Sequence, residues 1–137
     1  MAETQIRDTL DANLIVHYLM RDNLEQFRSV RALLATGYRH DIPDLALTEA
    51  VYVFDRHYGM ERAEIVFVLQ YFLSHFDEFL NYNRALFELV FPYYEEHPAL
   101  SFNDCCMAFY AELNGAEPLF TFDRTLAKQH PSAKRLE

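Results

Sequence analysis

The clearest strand in this sequence is Pro118-Leu119-Phe120-Thr121-Phe122, which runs directly into Asp123. Aromatic and β-branched residues dominate it, and such residues favour extended backbone. Asp123 then stands where a short final helix would begin. We therefore predict a strand whose carboxyl end carries an acid, the position beyond which parallel α/β sheets bind their ligands.

Upstream of this strand, helical patterns alternate with short and weaker strand candidates. The strand candidates are 5–10, 39–43 and 79–82, of which the second is a poor one. The predicted helices are 12–21, 24–35, 44–58, 61–75, 84–97 and 101–114. We expect Asp44 to cap the third helix and Pro92 to kink or restart the fifth. The alternation predicts an α/β fold with a short parallel sheet flanked by helices.

Length and composition predict one folded domain over residues 1–137. About half of the chain is hydrophobic, which is enough for a core and excludes a disordered class. No apolar run approaches the ~20 residues of a membrane span, and the opening Met1-Ala2-Glu3-Thr4-Gln5 lacks signal-peptide features. The adjacent Cys105 and Cys106 fit neither a disulfide framework nor a zinc site. We expect a soluble cytoplasmic protein without membrane contact.

The net charge of −9 is unusual for a protein that acts on nucleic acid, because phosphate binding rests on Lys and Arg. The basic residues are uneven, however, and they concentrate near both ends of the chain. A local basic surface is therefore compatible with the acidic net charge of the whole chain. An acidic surface also suits a basic protein partner.

Four acids lie in separate segments, each near a predicted helix start or strand end: Asp11, Glu49, Asp104 and Asp123. Three have an ordinary explanation, because Asp11 and Asp123 can be N-caps and Asp104 can join a capping box with Ser101. Glu49 lies in a nearly apolar helix. It is either part of the solvent-exposed side of that helix or buried because it has a functional role, since a buried carboxylate is costly unless it is paired or bound to metal. A carboxylate quartet suits Mg²⁺ or Mn²⁺ and metal-assisted phosphodiester hydrolysis.

The contexts of these acids resemble the motifs of PIN-domain nucleases. Asp11-Ala12-Asn13 with the apolar helix that follows looks like their opening motif, and residues 47–54 resemble the second. Residues 101–104 resemble the third motif, and residues 119–124 the fourth. The order of the motifs also agrees, and the resemblance covers essentially the whole chain.

The nearest branch looks like the VapC-type toxins of toxin–antitoxin pairs. The resemblance implies a three-layer α/β/α fold and a Mg²⁺- or Mn²⁺-dependent endoribonuclease that forms a homodimer and is inhibited by a VapB-type antitoxin. It assigns the metal and the catalysis to Asp11, Glu49, Asp104 and Asp123, with supporting roles for Asn13 and Thr121.

The chain departs from the family pattern in places. Arg7 and Asp8 interrupt a first strand that is normally apolar, and His17 stands where a basic residue is common. We interpret Asp8 as structural or solvated. None of these departures removes an acid of the quartet.

The expected mechanism is in-line attack by a metal-activated water on an RNA phosphodiester. Arg21, Arg124 and Lys128 are candidates for phosphate contacts. Two other functions compete with the toxin hypothesis. One is a stand-alone PIN-domain nuclease of RNA processing, and the other is a non-catalytic interaction module whose acids serve only as caps.

Overall fold

The computed structural model describes residues 5–136, so residues 1–4 of the segment read above for signal-peptide features lie outside it. Its strands are β1 Ile6–Thr9, β2 Arg39–Asp41, β3 Leu80–Asn81, β4 Leu119–Thr121 and β5 Ala133–Arg135. Its helices are α1 Ala12–Met20, α2 Leu24–Leu34, α3 Asp44–Arg56, α4 Arg62–His75, α5 Arg84–Glu96, α6 Phe102–Leu113 and α7 Arg124–Gln129, with a 3₁₀ turn at Asp77–Phe79. The chain forms two compact units, one ending at Asn83 and the other beginning at Arg84.

The first unit contains a parallel sheet with the strand order β1-β2-β3. Two helices lie in each connection, which is the usual way to return the chain for parallel pairing. The poor strand candidate at 39–43 proves to be the central strand, with His40 paired to Asp8 on one side and to Leu80 on the other. Backbone pairing on both sides holds β2, so it does not need a regular apolar pattern.

The helix ends of the first unit follow local chemistry. Arg21 ends α1 in the left-handed region with φ 55°, and the Asn23 side chain caps α2 by accepting a hydrogen bond from the Gln26 N–H. The prediction that Asp44 caps α3 is wrong. Pro43 occupies the cap position with extended backbone, so Asp44 is the first helical residue, where a negative charge favours the helix dipole.

The second unit packs α5 against α6 and pairs β4 with β5 in parallel through α7. The helix does not restart at Pro92, because α5 runs without interruption to Glu96. Pro92 lies on the exposed side, while Val90, Phe91 and Tyr94 are buried and hold the helix in place. β5 was not predicted, because two of its three residues are exposed and basic.

Only the Ser101 half of the capping box expected at the start of α6 forms, because the Asp104 carboxylate has no partner within residues 5–136. The Ser101 hydroxyl accepts a hydrogen bond from the Asp104 N–H at 3.1 Å, and Gly115 follows the helix with φ 65°. Cys105 and Cys106 are buried on α6 and form no disulfide, as expected. In the described part of the chain, no helix is both long and apolar enough to cross a bilayer. The α/β class with a short parallel sheet is confirmed.

Candidate functional site

Asp11 lies just beyond the carboxyl end of β1 and caps α1. Its Oδ1 accepts a hydrogen bond from the Ala12 N–H at 2.6 Å, and the residue is exposed. Asn13, the proposed supporting residue, lies two residues after Asp11 and is also exposed. The cap explanation therefore holds for Asp11, and its second carboxylate oxygen stays available to another ligand.

Glu49 lies in the middle of α3 and faces solvent. The helix buries its opposite side through Ala46, Leu47, Ala50 and Phe54. Among residues 5–136 the Glu49 carboxylate has neither a hydrogen bond nor an ion pair. Of the two interpretations left open by the sequence, the one in which Glu49 lies on the exposed side of the helix is correct. Its carboxylate has no structural partner within residues 5–136.

Asp104 is the third residue of α6, and its side chain is half-buried. Its backbone N–H is satisfied by Ser101, but within the described residues its carboxylate has no partner. A negative charge in the first turn favours the helix dipole. This location stabilises an acid without occupying its oxygens.

Asp123 begins α7 directly after β4. Its Oδ1 accepts a hydrogen bond from the Leu126 N–H at 3.0 Å, so Asp123 caps the helix as predicted. Its own N–H donates to the Thr121 hydroxyl at 3.0 Å. Thr121 thereby fixes the backbone that carries Asp123, which agrees with the supporting role that the resemblance gives it.

The three candidate RNA-contact residues differ in their surroundings. The Arg21 guanidinium lies 4.5 Å from the Phe27 ring centroid and 6.0 Å from that of Tyr18. Arg21 is thus engaged in cation–π packing. Arg124 and Lys128 are exposed on α7 close to Asp123. Phosphate contact is therefore better supported for Arg124 and Lys128 than for Arg21.

Two of the four acids belong to each unit. Asp11 and Glu49 belong to the first unit, where α1 packs against α3, and Asp104 and Asp123 belong to the second, where α6 packs against β4. In residues 5–136, no three Asp, Glu, His or Cys side chains lie close enough together to hold a metal ion. The donor set is nevertheless the all-oxygen set that Mg²⁺ and Mn²⁺ prefer, and Mg²⁺ is commonly held by one or two carboxylates and several waters.

Sequence reasoning missed further polar residues beyond the carboxyl ends of β2 and β3. The Asn81 side-chain amide donates to Asp41 Oδ1 at 2.8 Å, and the Asn83 amide donates to Asp44 Oδ2 at 3.3 Å. These pairs lie at the same edge of the sheet as Asp11. The rule that ligands bind beyond the carboxyl ends of parallel strands would have found them if 39–43 had been accepted as a strand.

A second missed cluster contains Asp22, which follows α1, and Tyr58, which follows α3. The Tyr58 hydroxyl donates to Asp22 Oδ2 at 2.5 Å, and His17 Nδ1 lies 3.3 Å from Asp22 Oδ1. The Tyr58 hydrogen bond is the main reason that the pKa of Asp22 is lowered, and the same bond raises the pKa of Tyr58. Asp22 is therefore an ionised acceptor at neutral pH.

Comparison with known proteins identifies the family. The PIN domain family matches residues 9–130, which include all four acids. No curated protein matches the chain. PIN domains are generally nucleases that use divalent metal ions such as Mg²⁺. With its short parallel sheet and its acids beyond strand ends, the chain belongs to the PIN domain family.

Proposed function

We propose that this chain is a divalent-metal-dependent endoribonuclease. The metal-binding and catalytic acids would be Asp11, Glu49, Asp104 and Asp123. The observation that carries this proposal is Glu49, an exposed carboxylate without a partner among the described residues, on a helix whose other face is buried. Capping accounts for Asp11 and Asp123, but it gives Glu49 no role. A nuclease of the PIN family does give it one.

The residues fit a hard cation by the chemistry of their donors. Asp11 and Asp123 each use one carboxylate oxygen in a cap, which leaves the other for a ligand, and Glu49 and Asp104 keep both. A bound Mg²⁺ or Mn²⁺ would supply a nucleophilic water at neutral pH and stabilise charge on the phosphate. Thr121 would keep Asp123 in position through the Asp123 N–H, and Asn13 would assist Asp11.

The reaction that we propose is attack of a water oxygen on phosphorus, with cleavage of the bond to O3′. The O3′ atom leaves as a hydroxyl, so the products carry 5′-phosphate and 3′-hydroxyl ends. The rival route uses the RNA 2′-hydroxyl with paired acid and base groups, which are often histidines. His40 and His130 are buried, with exposures of 0% and 1%, which removes two histidines from contact with RNA and supports the water route.

Arg124 and Lys128 are the phosphate contacts that we favour, because both are exposed on the helix that Asp123 caps. Each contact to single-stranded RNA contributes about 0.7 to the slope of log affinity against log salt concentration. Replacing either residue by Ala should lower that slope by roughly this amount. Arg28→Ala, at an exposed position of α2, is the control, and an equal effect of Arg28→Ala would contradict the assignment.

The finer proposal is that the chain is a VapC-type toxin that forms a homodimer in the cytoplasm and binds a VapB-type antitoxin. The motif resemblance supports it, as does the net charge of −9, which suits a basic partner. Several large apolar side chains on α3 and α4 are exposed, including Leu45 at 80% and Phe67 at 70%, as expected of protein-contact surfaces. Growth arrest on expression, relieved by the product of an adjacent short reading frame, would support the toxin; harmless expression would favour an RNA-processing nuclease.

The central experiment is cleavage of a cellular RNA pool with Mg²⁺, with Mn²⁺ and with EDTA. Wild type is compared with Asp11→Asn, which keeps the cap because Asn caps a helix about as well as Asp. Asp55→Asn, an exposed substitution on α3, is the control. We expect metal-dependent cuts that disappear only in Asp11→Asn.

Two results would overturn these proposals. Absence of cleavage under every condition, together with a melting temperature that metal does not raise, would favour a non-catalytic module, because a ligand of the folded state must stabilise it. Products with 2′,3′-cyclic phosphate ends would exclude attack by water. The chain would still be a ribonuclease, but one that uses the RNA 2′-hydroxyl as the nucleophile.

A further inference from the structure

The first unit contains a cavity between α1 and α3 whose lining includes none of the four acids of the proposed metal site. Its volume is about 360 Å³, which lies within the usual range for small-ligand sites. Val16 and Val53 supply apolar surface. The polar lining consists of Asn13, His17, Asp22, His57 and Tyr58.

The cavity is lined by residues that follow the two acids of this unit along α1 and α3. On α1 its lining begins at Asn13, two residues after Asp11. On α3, Val53 and His57 follow Glu49 at intervals of four residues, which places them about 6 Å and 12 Å further along the helix axis. A strand of RNA held at Asp11 and Glu49 would therefore have this cavity beside it.

Asp22 presents two acceptors side by side in the cavity. Tyr58 donates to one carboxylate oxygen at 2.5 Å, and His17 Nδ1 lies 3.3 Å from the other. Each oxygen of an ionised carboxylate has two acceptor positions, so one remains on each oxygen. The two neighbours fix the orientation of the carboxylate.

A pair of adjacent acceptors selects among the four bases by their hydrogen-bonding edges. Guanine alone presents two adjacent donors, N1–H and the N2 amino group. Uracil flanks its single N–H with two carbonyl oxygens, and adenine and cytosine place a ring lone pair beside the amino group, which a carboxylate repels. Single-stranded RNA is commonly recognised by such edges together with stacking on aromatic or histidine rings. His57, an exposed residue in the lining of the cavity, offers such a ring.

We infer that this cavity is a guanine subsite for the RNA strand, in which Asp22 accepts hydrogen bonds from N1–H and the N2 amino group. The inference rests on the proposed ribonuclease function, because it assigns the strand that occupies the site. It adds a base preference that the four acids would not supply, since their proposed role is to hold the metal.

The first test measures binding without metal or cleavage. The full chain is titrated with 5′-GMP, 5′-IMP and 5′-UMP in EDTA by calorimetry or NMR. All three carry the same phosphate, so differences in affinity report the base. We expect GMP to bind about fivefold or more tightly than UMP, since a good bidentate pair discriminates by at least that factor. IMP lacks the N2 amino group and should fall between them.

Asp22→Asn replaces one acceptor by a donor and should abolish the preference for GMP. Tyr58→Phe keeps the charge of Asp22 but removes the bond that orients it, so it should reduce the preference less. Asp55→Asn is the matched control and should keep the preference. Equal binding of the three nucleotides, or a preference that survives in a folded Asp22→Asn protein, would overturn the inference.

Sequencing of the cut ends separates this inference from the nuclease proposal. We expect guanine at a fixed distance from the cuts of the wild type and loss of that enrichment in Asp22→Asn. Metal-dependent cuts without guanine enrichment would reject the subsite and leave the nuclease. Selective GMP binding without any RNA cleavage would reject the nuclease and indicate a site for free guanine nucleotides.

Discussion

The two compact units carry their acids in the same way. In each, one acid follows a strand and caps a helix, namely Asp11 in the first unit and Asp123 in the second. The other acid lies within a helix and has no partner in the described chain, namely Glu49 and Asp104. The comparison teaches that a carboxylate can serve folding and ligand binding at once, and that conservative substitutions can separate the two roles.

The units also bury one histidine each, but they hold it differently. His40 Nδ1 faces the Asp8 carboxylate at 2.5 Å, whereas His130 Nδ1 accepts a hydrogen bond from the Ser132 backbone N–H at 3.1 Å. In both, Nε2 is buried and has no partner within residues 5–136. His40 is therefore held by an acceptor and His130 by a donor.

The largest effect should come from the acids without partners. Glu49→Gln and Asp104→Asn should each reduce RNA cleavage by about a hundredfold or more, because a bound metal supplies several kcal/mol of transition-state stabilisation. Neither carboxylate has a partner within residues 5–136. The free energy of unfolding should therefore change by no more than about 0.5 kcal/mol in Glu49→Gln and by about 0.3–1 kcal/mol in Asp104→Asn, which loses a charge that favours the helix dipole. Single-turnover cleavage and urea unfolding measure the two quantities.

The control for this prediction is Glu88→Gln, at an exposed position of α5, which should change neither quantity. A large loss of stability in Glu49→Gln would show that Glu49 has a structural role. It would contradict the conclusion that the capping acids contribute to folding and Glu49 does not.

The next largest effect concerns the fixation of His40. Asp8→Ala leaves a buried nitrogen of His40 without its acceptor, which should cost about 1–3 kcal/mol of unfolding free energy. Asp8→Asn retains an acceptor oxygen and should cost less. Urea unfolding of both variants tests this order, and equal losses would show that the hydrogen bond to His40 contributes nothing specific.

Much of the fold could be predicted because the deciding signals are local. Ser101 and Asp123 cap helices where the sequence indicated, and β4 was evident from its aromatic residues. β2 and β5 were missed or judged poor because neighbouring strands in parallel pairing stabilise them. That information is not present in three residues of sequence.

The candidate site was predictable to a different degree. The motifs gave the positions of the four acids, but the roles of Asp8 and Asp22 depend on distant partners. Asp8 bonds to a histidine 32 residues away, and Asp22 to a tyrosine 36 residues away. Asp8, which the sequence marked as a departure from the family, compensates for a buried histidine in the next strand. Only the register of β1 with β2 reveals this.

A smaller effect should distinguish the Ala variants of the two capping acids from their Asn variants, and it concerns the free energy of unfolding. Asp11→Ala and Asp123→Ala should each lower the unfolding free energy by about 1 kcal/mol through loss of a cap. Asp11→Asn and Asp123→Asn should retain the cap and lose cleavage alone. Thermal unfolding without metal measures the difference, and equally unstable Ala and Asn variants would contradict the capping role.

The smallest effect is the pH dependence of stability that His130 should contribute. Burial is the main cause that lowers the pKa of His130, with opposing contributions from Glu112 and Glu117 and a lowering one from His97. In the unfolded chain the His130 pKa returns to about 6.5. Below that pH, His130 binds a proton more readily in the unfolded state than in the folded state. The free energy of unfolding therefore decreases as the solution is acidified.

His130→Gln should flatten this dependence, because Gln can accept the Ser132 N–H bond and does not titrate. The measurement is the urea midpoint at pH 7.5 and at pH 5.5, for wild type and variant, with His75→Gln at an exposed position of α4 as the control. The decrease between the two pH values should be smaller in His130→Gln than in the other two proteins. An equal decrease in all three proteins would assign the acid sensitivity to other groups.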